Sequence, residues 1–581
     1  MAASRSEVVL DSDAAAVHDV IVVGSGAGGL AAALTARAYG LSVLVLEKTP
    51  FFGGSTAVSG GAMWIPGNPH MASVGHHDTR EAVLAYLHAT VGNHMRPELI
   101  EAFLDHGPRM VGFFERRTAL RFVPRSVSPD YRPDLPGAAA GGRTLDPAPF
   151  DGRELGPMFD ALRPPYPSFL AFGGMMVNRK DIGALLAAPR SLAAAGHSAA
   201  LLLRYLRDRL QGRRGTRLLM GNALAGRLLK SALDAGVELR RNAPVTALLE
   251  TDRRVAGVVM QDGTRLEARC GVVLATGGFP QNAARRAEHL PHADVHRSMA
   301  PEGNSGDGHA LATAVGAAMA TDNAGPAFWA PVSVLRRPDG SETVFPHLIM
   351  DRQKPGLIAV NGAGRRFTNE AASYHDFVAA MHRCDADAPC IPAWLICDHR
   401  FLRHYGMGLV RPGPRALSPF VRAGYLRRAA SIAALAADIG VPAAALAATV
   451  QAMNEAAARG SDPEFGRGGS AYDRYLGDPA HQPNPCLGPI RTPPFYAVAV
   501  WPGDIGTAAG LRTDAAARVL DGQEQPIPGL YACGNDMNSV MAGAYPAAGI
   551  TLGPALTFGY LAGRAIARAA GRPGDAEEGN A

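Results

Sequence analysis

Residues 19–23, Asp-Val-Ile-Val-Val, are a short apolar run rich in β-branched side chains, the pattern of a buried strand. Small and apolar residues over 30–37 predict a helix, and the run 43–46 predicts a second strand. Apolar positions then recur at helical spacing over 78–92 and 97–114. A further helical segment covers 181–212, where Leu201, Leu202 and Leu203 are interleaved with Arg204, Arg207, Arg209, Arg213 and Arg214. The preferred reading is a helix packed on its own domain; the alternative is one lying on a membrane surface. A helix over 219–235 leads to strands at 237–239, 245–249, 254–259 and 266–268, and 272–279 is a buried strand ending in Thr-Gly-Gly. A glycine turn at 303–308 opens a helix over 310–318, with no strand before it. From about 338 to 506 the pattern shifts to shorter strands and mixed helices, and Asn361-Gly362 reads as a hairpin turn within 358–367. The run 528–532 predicts a strand into a glycine turn, and a small-residue helix over 556–567 follows a Pro/Gly turn at 544–554.

A chain of 581 residues is too long for one core, so several units are expected. The expected fold class is α/β: residues 1–337 form a nucleotide-binding domain with a helical insertion near 150–215, 338–506 an inserted α+β cap, and 507–581 the return to the first domain. Composition is globular, with 47% hydrophobic and 19% charged residues. Net charge is +5, but acids and bases are mixed and no basic block appears, so no nucleic-acid partner is expected. Six cysteines without a CxxC pair point to reduced thiols in a cytoplasmic protein rather than to disulfides or a metal site. Residues 1–18 lack a basic-then-apolar leader pattern, and no run of 18 apolar residues predicts a membrane span.

The first strand runs directly into Gly24-Ser25-Gly26-Ala27-Gly28-Gly29, then a helix, then a second strand ending in Glu47, about 20 residues after the first glycine. Strand, glycine turn, helix, strand and acid in this register form a dinucleotide site. The glycines let the backbone approach a pyrophosphate at the helix N-terminus, and Glu47 accepts from a ribose hydroxyl. Next comes Gly53-Gly54-Ser55-Thr56, then Ser59-Gly60-Gly61, a stretch that lets a flat ring lie on backbone while hydroxyls reach phosphates. No other region supplies the strand–turn–helix unit, so a stable second nucleotide site is not expected. Near the C-terminus, Tyr545 and Gly549 stand just before the last helix, where a phenol and a main-chain N–H suit a developing enolate oxygen.

Glu47-Lys48 with Gly53-Gly54-Ser55-Thr56 and Ser59-Gly60-Gly61 resembles the flavoprotein superfamily of fumarate reductases and 3-ketosteroid dehydrogenases. That resemblance implies a glutathione-reductase-type, Rossmann-like FAD domain with an α+β catalytic cap. FAD is expected without a covalent link, since Ser55, Thr56 and Ala57 stand where succinate dehydrogenases carry a flavin-linking His. In this superfamily Val245 flanks the adenine, Ala275-Thr276-Gly277-Gly278 closes the cleft, and Gly534, Asn535, Thr551 and Leu552 belong to the C-terminal cofactor contacts. The Arg366-Phe367-x-Asn369-Glu370 element is also shared. Fumarate reductases place a catalytic Arg where Tyr374 stands, and a His and an Arg in the stretch that here reads Gly543-Ala544-Tyr545-Pro546-Ala547-Ala548-Gly549. With no cation there, a dicarboxylate would be buried unpaired, which is prohibitive. 3-Ketosteroid Δ1-dehydrogenases instead carry Tyr at 374, Tyr-Pro-Gly-x-Gly at 545–549, and an active-site Tyr in an element like Asp130-Tyr131; Ala547 departs from that pattern. Composition alone would make Tyr131 a loop anchor and leave Tyr374 as readily a core residue.

The resemblance implies 1,2-desaturation of a 3-ketosteroid. Tyr545 and the Gly549 N–H hold the C3 carbonyl, Tyr374 takes the C2 proton, Tyr131 donates to its phenolate, and the flavin accepts the C1 hydride. His375 is expected to point away on an extended segment. The implied partners are the steroid and an unidentified electron acceptor, quinone or other, with peripheral membrane contact left open beside the cytoplasmic reading. The alternatives are a Δ4-(5α)-desaturase, a fumarate-reductase-like enoate reductase, or a flavin carrier without a substrate of its own.

Overall fold

The computed structural model describes residues 17–572 except 213, 321 and 415; the expectation about residues 1–18 falls almost wholly outside them. Its first sheet has eight strands. The parallel core runs in the order Glu238–Arg241, Val43–Glu47, Val17–Val23, Arg265–Leu274, with Pro526–Ala532 beside the end of the last. Val20, Ile21 and Val22 are fully buried, as are Leu44 and Val45, which is why these strands read as continuous apolar runs. The antiparallel pair Val245–Thr251 and Arg254–Met260 packs on the outer half of Arg265–Leu274, as the meander predicts.

The second sheet has seven strands and is organised by Phe495–Thr507, which pairs with Ala327–Arg336, Ala393–Cys397, Arg427–Ala429 and Arg297–Ser298. It therefore takes in strands N-terminal to the expected boundary at 338. The hairpin expected at 358–367 is short: Val360 bridges Arg366 in antiparallel fashion around a turn in which the Asn361 N–H donates to the Arg365 carbonyl at 3.0 Å, while Leu357–Val360 pairs along its length with Ala393–Cys397. The helical segment at 181–212 is two helices, Arg179–Ala187 and Leu192–Gln211, split at Pro189, which cannot donate to the ladder.

The last helix, Leu552–Ala569, starts one turn earlier than its apolar pattern; Pro554 is tolerated in its first turn. It lies against the first helix, Ala27–Ala38, at very close range: a Cβ on Gly559 would meet the Gly28 carbonyl oxygen at 2.3 Å. Just ahead of this helix, the Trp64 N–H donates to the Gly549 carbonyl at 3.0 Å, which ties the Tyr545–Gly549 turn to the strand Met63–Trp64.

Candidate active site

The dinucleotide motif forms as its residues predict. Ser25 Oγ donates to Glu47 Oε2 at 2.5 Å and accepts from the Gly53 N–H at 3.0 Å. Glu47 Oε1 accepts from the N–H and hydroxyl of Thr49. Thr56 Oγ1 accepts from the Ala27 N–H at 2.9 Å, leaving its own hydrogen to reach outward. Ser59 Oγ donates to the Thr56 carbonyl at 2.8 Å and accepts from the Gly61 N–H at 3.1 Å. These bonds tie the glycine turn, the end of the second strand and the Gly53–Gly61 stretch into one cradle.

The residues fit a dinucleotide. A Cβ on Gly24 or Gly29 would strike backbone at 2.1 Å, so these glycines serve packing. A Cβ on Gly26 or Gly54 would meet nothing nearer than 3.7 Å, and one on Gly60 or Gly534 nothing within 4 Å. Bare backbone from four loops thus faces one open trough. Val245 begins a strand at its edge, buried. The Ala275 N–H extends the first ladder to the Val23 carbonyl. Thr276 and Gly278 donate to the buried carboxylate of Asp536, and Asn304 bridges Ser55 Oγ at 2.8 Å and the Gly277 carbonyl at 3.1 Å. Lys48 is held by Ser305 and Asp307, the latter at 2.6 Å, so the glycine turn at 303–308 braces this cradle. Gly534, Asn535 and Thr551 line a narrow cleft with Phe328 and Pro554, and Leu552 opens the last helix beside them. Asn304, Asp307 and Asp536 were not legible as site residues.

Beyond the cradle the structure brings Tyr131, Tyr374 and Tyr545 together. The Tyr131 hydroxyl lies 3.1 Å from that of Tyr374, which lies 2.7 Å from that of Tyr545. Tyr131 stacks on Tyr545 with ring centroids 5.4 Å apart and planes 6° apart. All three residues are buried. Each phenol is placed by local chemistry. Tyr374 opens the helix Tyr374–Asp385, capped by Ser373, whose hydroxyl accepts from the Asp376 N–H. Ahead of it, buried Arg352 donates to the carbonyls of His347, Glu370 and Ala372. Tyr131 is held by its loop: its N–H donates to the Pro546 carbonyl at 2.8 Å, which also accepts from the Tyr86 hydroxyl. Its neighbour Asp130 accepts from Trp64 Nε1 at 3.0 Å and pairs with Arg143 at 2.6 Å. Burial raises the Asp130 carboxyl to about 6, partly opposed by Arg143.

Gly549 sits at φ +100°, where a Cβ would strike the Trp64 nitrogen at 2.6 Å. Among the described residues nothing accepts from its N–H. His375 does not point away: because a helix starts at Tyr374, its ring lies 5.5 Å from that of Tyr545 and its Nδ1 accepts from the Trp329 N–H. Burial lowers its pKa to about 4, so it is neutral near pH 7. A cavity of about 200 Å³ opens beside Tyr545, lined by Arg132, Trp329, His375 and Asp376 among others.

The phenols are not equivalent. Burial raises Tyr374, but hydrogen bonds from Tyr131 and Tyr545, with Arg125 and Arg352 nearby, pull against it. Tyr131 and Tyr545 stand well above the usual tyrosine value because burial and the neighbouring phenols act in one direction. Of the three, Tyr374 is the phenol whose ionisation the surroundings oppose least, and Tyr131 donates to it.

A trough of bare backbone beside a buried phenol chain is the layout of a flavoprotein that works on a carbonyl compound, and comparison with known proteins agrees. The FAD binding domain family matches residues 19–552. A 4-oxocyclohex-2-ene-1-carboxylate 5-dehydrogenase of Sinomonas cyclohexanicum is 41% identical, covering 95% of this chain and 94% of its own. A 3-oxosteroid 1-dehydrogenase of Mycobacterium tuberculosis is 38% identical, covering 95% and 99%. A crystal structure of 3-ketosteroid delta1-dehydrogenase from Sterolibacterium denitrificans with 1,4-androstadiene-3,17-dione superimposes with a TM-score of 0.87 at 40% identity, covering 95% of this chain and 99% of that one. The chain belongs to the FAD-binding flavoprotein family that includes the 3-ketosteroid Δ1-dehydrogenases, and its cofactor is FAD.

Proposed function

We propose that this protein is an FAD-dependent oxidoreductase that desaturates the C1–C2 bond of 3-ketosteroids. The observation that carries the proposal is the buried hydroxyl chain Tyr131–Tyr374–Tyr545, with the Gly549 N–H, four positions after Tyr545, left without an acceptor among the described residues. The substrate's C3 carbonyl accepts from the Tyr545 hydroxyl and the Gly549 N–H, which together stabilise the enolate and acidify C2. Tyr374, as phenolate, takes the C2 proton. Its reference pKa is near 10, so it needs donors to act as a base, and Tyr131 supplies one. FAD in the cradle supplies the hydride acceptor for the C1 hydrogen. Gly26, Glu47, Gly54, Ser55, Thr56, Ser59, Gly60 and Gly61 would hold it without a covalent link, on a turn whose close packing Gly24 and Gly29 permit.

The test is anaerobic mixing of the holoenzyme with a neutral 3-ketosteroid. Bleaching of the flavin with formation of the 1,2-alkene, read by NMR, is expected. A stable yellow enzyme with every steroid of a small panel would overturn the reading. A second reading rests on the 41% identical relative named for a small keto acid. It keeps the same phenol chemistry and replaces the steroid by a carboxylated cyclohexanone. A larger kcat/KM for that acid than for any steroid would favour it.

No helix among the described residues is long and apolar enough to cross a membrane. Yet Leu203, Leu206 and Leu210 form an exposed stripe on Leu192–Gln211, with Leu210 at 88% exposure and Phe172 at 62% nearby. The exposed Arg207 and Arg209 flank it. The protein works in the cytoplasm and docks this stripe on a lipid surface, where an apolar substrate and a quinone-type electron acceptor would both be found. Leu206→Glu with Leu210→Glu should abolish co-sedimentation with anionic liposomes and leave bleaching by dissolved steroid intact; unchanged sedimentation would refute the docking.

A further inference from the structure

A fourth tyrosine abuts the phenol chain. Tyr472 lies in the short helix Ala471–Leu476 of the cap and is 3% exposed. Its ring centroid is 4.7 Å from that of Tyr131, tilted by 53°. Its hydroxyl is buried and has no hydrogen-bond partner among the described residues. A buried hydroxyl normally finds a partner, and leaving one unpaired is costly. Other buried atoms are orphaned too, both ring nitrogens of His382 among them, so an unpaired atom alone marks nothing. Tyr472 differs because its ring rests on the residue that donates to the reacting phenol.

We propose that Tyr472 is a positioning residue for the desaturation: its hydroxyl donates to Tyr131 when Tyr374 carries the negative charge. This rests on the phenolate role given above to Tyr374. With Tyr374 neutral, the Tyr131 oxygen needs no second donor and the Tyr472 hydroxyl stays idle. With Tyr374 ionised, Tyr131 gives its hydrogen to the phenolate, its own oxygen becomes a better acceptor, and Tyr472 supplies the hydrogen that reinforces it. No proton changes owner in this step; the C2 proton still goes to Tyr374. The titratable and charged groups facing the pair are Tyr131, Tyr545, Arg125, Arg352, Asp376 and Asp473. Arg125 is paired with Asp146, and Asp376 with Arg132. All of these stay in place when only the Tyr472 hydroxyl is removed.

The experiment is the pH profile of anaerobic flavin bleaching in the holoenzyme and its Tyr472→Phe variant, with the melting temperature measured alongside. A donor reinforcing a charged acceptor lowers the pKa of the base, so its loss moves the rising limb of the profile to higher pH. The variant should be slower by about 10-fold or more near pH 7 and approach the wild-type rate at high pH. Its melting temperature should hold or rise, since an unpaired hydroxyl has left the core. A rate lowered equally at every pH, or unchanged at every pH, overturns the proposal. If the wild type itself is bleached by no ketone, the steroid reading has failed, and that outcome cannot be confused with a failure of Tyr472 alone.

Discussion

Removing the Tyr545 hydroxyl is the sharpest test of the phenol chain. Tyr545→Phe deletes one oxygen and keeps the ring, which stacks on Tyr131 at 5.4 Å and meets Phe328 edge-on at 5.6 Å. The hydroxyl has one hydrogen bond, to Tyr374 at 2.7 Å, so folding should lose only about 1 kcal/mol. Catalysis should lose far more if, as proposed, the hydroxyl is one of two donors to a developing oxyanion. One such donor is worth about 10²–10³ in rate, or ~2.7–4 kcal/mol. The Gly549 N–H remains, so turnover should be slow but measurable. The assay is single-turnover bleaching under anaerobic conditions, with FAD content checked from the visible spectrum. A donor that acts chiefly in the transition state lowers kcat and kcat/KM together. Bleaching within tenfold of wild type at full FAD occupancy would remove Tyr545 from the mechanism.

Tyr374→Phe should fall further than Tyr545→Phe and should also stop exchange of the steroid C2 hydrogens with D2O, followed by NMR; exchange at the wild-type rate would assign the base elsewhere. Glu370 is fully buried, and although burial pushes its carboxyl up, Arg366 and Arg467 outweigh that and leave it below its ordinary value. Its folded pKa lies under its unfolded one, so its stabilisation is present above about pH 4.3 and is lost as pH falls further. Glu370→Gln should therefore cost about 3–5 kcal/mol at pH 7 in urea unfolding and progressively less in acid. A loss of the same size at pH 3 would contradict the assignment. Gly559→Ala puts a methyl 2.3 Å from the Gly28 carbonyl and forces the first and last helices apart. Overpacking of this kind costs about 1–3 kcal/mol, and the variant should purify with less bound FAD, read as a lower flavin-to-protein absorbance ratio.

The parts legible in the sequence are those decided locally. Residues 19–47 specify strand, turn and helix through neighbours in the chain, so the cradle could be read from them directly. The phenol chain was legible only by likeness, since Tyr131, Tyr374 and Tyr545 meet across 243 and 171 positions of sequence. The hairpin at 358–367 was legible only at its turn, where Val360 bridges Arg366; an Asn-Gly signal says nothing of longer-range partners, and Leu357–Val360 pairs along its length with Ala393–Cys397. His375 was misplaced because its orientation depends on whether a helix begins at Tyr374, which the Ser373 cap decides. Tyr472 gave no signal at all, being one of two tyrosines in a six-residue helix with no motif around it.

A second buried network shows that the right groups in the right order do not by themselves make a reaction centre. Ser333 Oγ lies 2.7 Å from His347 Nε2, and His347 Nδ1 lies 2.6 Å from Asp351, the order of a hydrolytic triad. Yet all three side chains are buried, and each remaining valence is taken. Ser333 meets the Tyr425 hydroxyl at 2.8 Å, which also accepts from the Leu409 N–H, while Asp351 accepts from the Gly408 and Arg352 N–H groups. A nucleophile so enclosed has nowhere to receive a substrate, and the network instead braces the segment that carries Arg352 toward Tyr374. The tyrosine cluster differs: the Tyr472 hydroxyl within it has no partner among the described residues, nor has the Gly549 N–H four positions after Tyr545. An open donor marks nothing by itself, but in the proposed chemistry the enolate at C3 and the phenolate at Tyr374 are the charged oxygens that these donors would serve.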